Sequence, residues 1–561
     1  MKNTENSTMK NSDKCKKGSR LISLLAFFMA AVICFTACSG GGRPVETPEP
    51  VTTPEATAAP VPVQGGALRC PMPENLHINN EEYNPMLIYT EEALQLFSLV
   101  YEPLINIDET NMLIPALAAN WAPDDSFQNA WIINLRKNAR WHTGETVNAD
   151  DIVYSYETLR TLGAESYYGS CLNDIVSIEI IDSNTLRIFM QNSGLMALYS
   201  LTFPIIKKDA PIFTGTGAYR AVTVTDDKIV LTGNPDWWDR SPYIRYIEFY
   251  ARSSNDMALA SFNAGQLNFV STAKLAVGQY SEAGVTVVKD IMTQNMETLL
   301  FNSKHQITKN ADFRKAIAHA LDRSTIITNV YMNRARKSDT PFPPDSWLYD
   351  SNAALYDYNT QISESLFDSL GYKKGAGGKL FRGRQHITLK LLTSGTTENV
   401  TRIDAAERIA AQLDAVGIGV EIITAEHSYG EDGSEFLNLL KAGDWDIALV
   451  GFNLSQSNRL NKYIDSDGTN NFGSFSDREI EELIKNMNEA PDEETLRNAS
   501  YALQQKFIEK LPFIVLYFRL NSVVYDADIK GITDMREPNI VRNVKQWYMN
   551  TEQTTEKPTE G

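Results

Sequence analysis

Cysteine and histidine are both scarce, at five and six residues in a chain of 561. None of His77, His142, His305, His319, His386 and His427 stands at a paired metal-ligand spacing, which argues against a structural metal. Histidines far apart in sequence remain free to converge on a metal chelate. Basic charge is also in deficit: 52 Lys and Arg face 70 Asp and Glu, for a net charge of −18. A phosphate backbone needs cations to displace its counterions, so nucleic acid is excluded as a partner. Nucleophile and nucleotide motifs are missing too. The chain has no G-x-S-x-G elbow, and Gly378-Lys379 runs into Leu380 without the earlier glycine of a phosphate-binding loop. Ser271-Thr272-Ala273-Lys274 has the S-x-x-K spacing of exported serine acyltransferases. The same spacing recurs by chance at Ser7-Thr8-Met9-Lys10, and no Lys-Thr-Gly partner accompanies it. An exported serine hydrolase or acyltransferase is therefore the alternative function, not the expected one, and no cofactor is expected.

Long apolar runs are absent after residue 35, so no later stretch is expected to cross a membrane. What is present at the start is an export signal over residues 1–37. Lys10, Lys14, Lys16, Lys17 and Arg20 precede an apolar run from Leu21 to Phe35 that is shorter than a membrane span. Phe35-Thr36-Ala37-Cys38 resembles the lipobox of bacterial lipoproteins, with Phe35 in place of the usual leucine, which makes Cys38 the expected lipidation site. Residues 38–66 are rich in Gly, Pro, Thr, Ala and Glu and poor in large apolar side chains, so they read as a disordered tether; residues 551–561 read as a disordered tail. The localisation that follows is the outer face of the cell membrane. Cys70 and Cys171 are the only cysteines beyond Cys38, and export permits a disulfide between them without establishing one.

The remaining chain is too long for one ordinary core, and 43% hydrophobic with 22% charged residues is a normal globular balance. Its clearest pattern lies between Ile387 and Asn453. Apolar strands at 387–392, 420–423 and 447–450 alternate with a helix from about Arg402 to Val416 and a second holding Phe436, Leu437, Leu439 and Leu440. Gly417 and Gly443 follow the two helices as left-handed terminators. Helical crossovers make the three strands parallel, and their C-terminal ends, at Thr393-Ser394, Thr424-Ala425 and Phe452-Asn453, are expected to border a ligand crevice.

Earlier in the chain, Pro115-Ala116-Leu117-Ala118-Ala119-Asn120-Trp121 leads to the strand Trp131–Arg136, the turn Trp141-His142-Thr143-Gly144 and a helix capped by Asn148 and Asp151. This series resembles the extracellular solute-binding proteins of family 5, the oligopeptide, dipeptide and nickel-binding components of ABC importers. The resemblance continues through Gly215-Thr216-Gly217-Ala218-Tyr219, Asn234-Pro235-Asp236-Trp237-Trp238, Phe301-Asn302, Phe313-Arg314-Lys315-Ala316-Ile317 and Ala320-Leu321-Asp322-Arg323. It implies an α/β, two-lobed periplasmic-binding-protein-like fold with an interlobe ligand cleft. The first lobe is expected over 67–290 with 520–550 returning to it, and the second over 291–519. It also implies a monomeric binding protein that closes on a peptide-like or other small polar solute and presents it to ABC permease subunits, ATP hydrolysis belonging to another subunit. A receptor or chaperone of the same fold with no transport role is the remaining alternative.

In family members that bind peptides, an aspartate soon after the last strand of the parallel unit pairs with the α-ammonium group. Here the segment Gly451–Arg459 has no acid, so a free peptide N-terminus requires Asp465 or Asp467 as a substitute. Expected ligand contacts are Asn453, Gln456 and Ser457 by hydrogen bonding and Arg459 toward a carboxylate. Tyr89 and Phe452 are expected to make apolar or stacking contacts. Trp121, Trp131, Trp237 and Trp238 are expected to serve packing instead.

Overall fold

The parallel unit forms as the apolar periodicity requires. Strands Thr388–Ser394 and Gly419–Ala425 pair in parallel, and Ile447–Asn453 joins the other side of Thr388–Ser394, also in parallel. Between them run the helices Thr401–Ala415 and Glu435–Ala442, the first burying Ala405, Ala406, Ile409 and Leu413 on the sheet. Gly417 has φ +97°, and a Cβ there would stand 2.5 Å from the Gly378 carbonyl, so only glycine fits the turn. The protein is seen here as a computed structural model that describes residues 62–73, 84–88, 90–252, 254–353, 356–395, 400–426, 434–533 and 535–549. The leader, Cys38, the tether as far as residue 61, Tyr89 and the tail lie outside the described residues.

The parallel unit is continued by two long antiparallel strands, Thr286–Phe301 and Phe513–Asp526, within a seven-stranded sheet. At one end Ile291, Val523 and Tyr525 enter a core with Leu68, Phe249 and Trp547. At the other, Leu299, Phe301, Ile514 and Leu516 enter a core with Phe313, Leu389 and Ile409. Between these ends Met292, Met296, Val515 and Phe518 enter a third core with Trp131, Ile188 and Phe436, and within it the register shifts between Met292 and Met296 and again at Glu297/Thr298. Such irregularities add local twist. The two-lobed α/β fold expected from the sequence calls for a pair of segments that run between cores, as these two strands do.

Beside one sheet of three strands and two of two, two further sheets have four strands each. In one, Gly65–Pro71 lies parallel to Ile244–Tyr250, followed by Lys228–Gly233 and Tyr219–Val224. In the other, the order is Ala118–Pro123, Ala130–Leu135, Thr185–Met190 and Ile175–Asp182. Helix Ala149–Leu162 begins at the expected capping box: the Asp151 carboxylate accepts from the Asn148 amide at 3.0 Å, and Asn148 Oδ1 accepts from the Asp150 amide at 2.9 Å. Phe313, Ile317 and Leu321 are buried, as their helical spacing predicts. The disulfide left open between Cys70 and Cys171 is not formed; both thiols are free.

Candidate functional site

A cavity of about 770 Å³ is lined by residues from distant parts of the chain. Its size falls in the range of roughly 300–1,000 Å³ typical of small-ligand sites. Helix Glu91–Val100 and the segment after it contribute Phe97, Tyr101 and Glu102 to one wall. Tyr168 and Asp174 come from the short turns before strand Ile175–Asp182, and Asn539 and Arg542 from the C-terminal segment. The facing wall is the run from Asn453 to Lys462 that follows the last parallel strand. Aromatic and charged side chains both line it, so the cavity offers apolar area with a few polar groups.

Across it runs an ion pair between residues 285 positions apart. Arg459 Nη1 donates to Asp174 Oδ1 at 2.5 Å and to Oδ2 at 2.6 Å. Ser200 Oγ donates to the same carboxylate at 2.5 Å. The Asp174 side chain is 9% exposed and that of Arg459 25%.

Glu102 is the second buried acid of the wall. Trp238 Nε1 donates to its Oε1 at 2.9 Å and Oε2 at 3.1 Å, and Trp237 Nε1 to Oε1 at 3.2 Å. Burial pushes its carboxyl up to about 7, against the pull of the two indoles and of Arg136. Between the ordinary value near 4.5 and 7, the folded protein therefore holds a proton that the unfolded chain has released. Stability consequently falls as pH rises through that window, by about 3 kcal/mol from this group. Glu102→Gln should remove that part of the slope in melting temperatures recorded from pH 4.5 to 7.5. An unchanged slope would mean the carboxyl is ionised throughout.

Asn453, Gln456, Ser457 and Arg459 all line the cavity. Phe452 does not: it is 6% exposed, in the core, with its ring 4.8 Å from that of Tyr463. Neighbours on a strand point to opposite faces, so Asn453 and Phe452 cannot serve the same surface. Arg459, expected to meet a ligand carboxylate, is engaged by Asp174. Thr393, Ser394, Thr424 and Ala425 are not among the lining residues; Arg402 bridges Ser394 Oγ and the buried Glu297 carboxylate at that edge instead. Asp465 accepts from Asn461 Nδ2 at 2.7 Å, and neither it nor Asp467 lines the cavity. The acids in its wall are Glu102 and Asp174, both missed by the sequence reading, and Trp237 is a lining residue as well as a packing one. A signal existed for Glu102, an acid set among Tyr101, Pro103 and Leu104.

The S-x-x-K spacing builds no nucleophile. Ser271 lies within strand Phe269–Thr272, paired with Val523, and the Lys274 ammonium is held by Asp256. Among the described residues, no cluster of three or more His, Cys, Asp or Glu is placed to hold a metal ion, and no helix is long and apolar enough to cross a membrane.

Comparison with known proteins places this geometry in context. The family model described as "Bacterial extracellular solute-binding proteins, family 5 Middle" matches residues 112–474. The oligopeptide-binding protein AppA of Bacillus subtilis (strain 168) is 21% identical over 572 residues, covering 95% of this chain and 99% of its own. The nickel-binding periplasmic protein of Escherichia coli (strain K12) is 21% identical over 449 residues, covering 76% of this chain and 84% of its own. Among solved structures, HbpA2 from Haemophilus parasuis superposes with a TM-score of 0.74 at 18% identity, covering 87% of this chain and all of the other. The first two of these proteins are named as binding proteins.

Proposed function

The chain belongs to the bacterial extracellular solute-binding proteins of family 5, and from that premise we propose that it captures a peptide-like or other small polar solute between two closing lobes and delivers it to an ABC permease while lipid-anchored through Cys38. The lobes of this reading are residues 67–290 with 520–550, and residues 291–519. The observation that carries it is the cavity of about 770 Å³, whose walls come from both sets of residues and which the Asp174–Arg459 pair spans. Asn453, Gln456 and Ser457 are the hydrogen-bonding contacts of one wall; Phe97, Tyr168 and Trp237 supply apolar and stacking area on the other.

A ligand that touches both walls has differential affinity for the closed form, and this is what drives closure. The permease then recognises a shape that exists only when the cavity is filled. Anchoring is supported by the lipobox-like run at 35–38, and attachment through acyl chains gains roughly 0.8 kcal/mol per buried CH₂.

The test is a pool of short peptides added to the purified protein, read by melting temperature and by small-angle scattering. A bound member at about a hundred times its Kd adds about 2.7 kcal/mol of stability. The radius of gyration should shrink in step, the peptides should remain uncleaved, and Cys38→Ala should move the protein from the membrane fraction to the medium. Stabilisation without compaction would remove lobe closure from the account, and peptide cleavage would remove simple binding.

A further inference from the structure

The cations of the cavity are not equivalent. Arg459 is held by Asp174, Lys545 Nζ lies 2.7 Å from Asp239 Oδ2, and Lys462, an exposed residue, places Nζ 4.9 Å from the centre of the Tyr463 ring. Arg542 differs from all three. Nε and Nη1 of its guanidinium are shielded from solvent without a hydrogen-bond partner among the described residues, as Nε and Nη2 of Arg459 are, but no carboxylate is paired with Arg542 there as Asp174 is with Arg459. The nearby acids make their hydrogen bonds elsewhere. Asp108 Oδ1 accepts from the Thr110 amide, the Thr110 hydroxyl and the Met112 amide, each at 2.8 Å, and Glu109 Oε2 accepts from Asn543 Nδ2 at 3.3 Å. Arg536, the neighbouring guanidinium, is paired with Asp345 at 2.7 Å. Burial lowers the Arg542 guanidinium to about 10, which still leaves it charged at neutral pH.

Asp108 and Glu109 act on the Arg542 charge only from a distance, without a hydrogen bond to it, so an anion placed against the guanidinium from the cavity it lines would stabilise it. Three residues earlier, Asn539 also lines the cavity, and its Oδ1 is a buried acceptor with no donor among the described residues. A cation short of an anion and an acceptor short of a donor together describe the last residue of a peptide, in which a carboxylate adjoins an amide N–H. We propose that Arg542 is the receptor for a ligand carboxylate and that Asn539 takes the N–H beside it, so the solute is anionic at this end. The proposal rests on the solute-binding reading above and names the chemistry of that site. A carboxylate is favoured over a phosphate because the chain carries −18 overall, which penalises a dianion more than a monoanion. The planar guanidinium also suits a carboxylate better than lysine does.

The experiment incubates the full chain with a tryptic digest of casein and with the same digest after methyl esterification, and counts retained peptides by native mass spectrometry. Wild type should retain at least tenfold less of the esterified pool. Arg542→Gln should lower retention of the free pool to the esterified level, with Arg542→Lys intermediate. Equal retention of both pools by wild type overturns the proposal without any variant, so a folding defect in one cannot protect it. A second arm titrates sodium acetate, sodium phosphate and sodium chloride at equal ionic strength and follows the melting temperature. If no peptide is retained at all, the peptide reading falls, and the acetate arm decides the inference alone. Acetate stabilising wild type beyond chloride, and Arg542→Gln no more than chloride, upholds it. Equal stabilisation of the two proteins overturns it, and phosphate exceeding acetate in an Arg542-dependent way replaces the carboxylate by a phosphate.

Discussion

Arg323→Ala should cost about 3–5 kcal/mol of stability, the range for removing one partner of a buried ion pair. The side chains of Arg323 and Asp339 are each 2% exposed and meet at 2.7 Å. Arg323 Nη1 also donates to the Ser338 and Val515 carbonyls at 2.9 and 3.0 Å, and Nη2 to the Tyr356 carbonyl at 2.8 Å. One side chain therefore ties the long strand Phe513–Asp526 to two loop segments, and its loss strands a carboxylate and three carbonyls away from water. Arg323→Lys should recover only part of the loss, because an ammonium lacks the planar fork that reaches several acceptors at once. The midpoint of urea unfolding is the readout. A decrease equivalent to less than about 1 kcal/mol for the alanine variant would mean that water or a neighbour replaces the guanidinium.

Separating Asp174 from Arg459 should weaken ligand binding about 5- to 150-fold, the span of a coupling of roughly 1–3 kcal/mol. The pair joins the two proposed lobes and exists only when they are together, so its strength adds to the closed form whatever the ligand is. The lower part of that span is the more fitting one, since the Arg459 side chain is 25% exposed and solvent screens it. Asp174→Ala and Arg459→Ala should each loosen binding, and the double variant should lose less than the sum of the two, as residues acting through one contact do. Tighter binding by the single variants would mean instead that the pair occupies the ligand's place and must break before capture.

Elements carried by local patterns were legible in the sequence. The parallel unit over 387–453, its glycine stops and the Asn148–Asp151 capping box depend on neighbours a few residues apart, and each stands where the spacing put it. The cavity was legible only along the loop from Asn453 to Arg459, which continues from a strand that could be recognised. Its opposite wall was not. Asp174 meets Arg459 across 285 positions, and Glu102 meets Trp238 across 136, and no periodicity records contacts of that separation. Phe452 illustrates a different limit. A large aromatic beside a suspected edge attracts attention, but strand alternation turns it into the core when Asn453 faces the cavity. Arg459 was recognised as a carboxylate-binding side chain, and the carboxylate it binds here is the protein's own.

The most direct measurement is native mass spectrometry of the protein as purified, compared with the same protein after unfolding, dialysis and refolding. The account predicts a single small solute bound one to one in the first sample and lost from the second. Adding the recovered solute back should restore the bound mass and raise the melting temperature. A chain that carries nothing from the cell, takes up nothing from peptide, sugar or metal-chelate pools, and melts at the same temperature in all of them would contradict it.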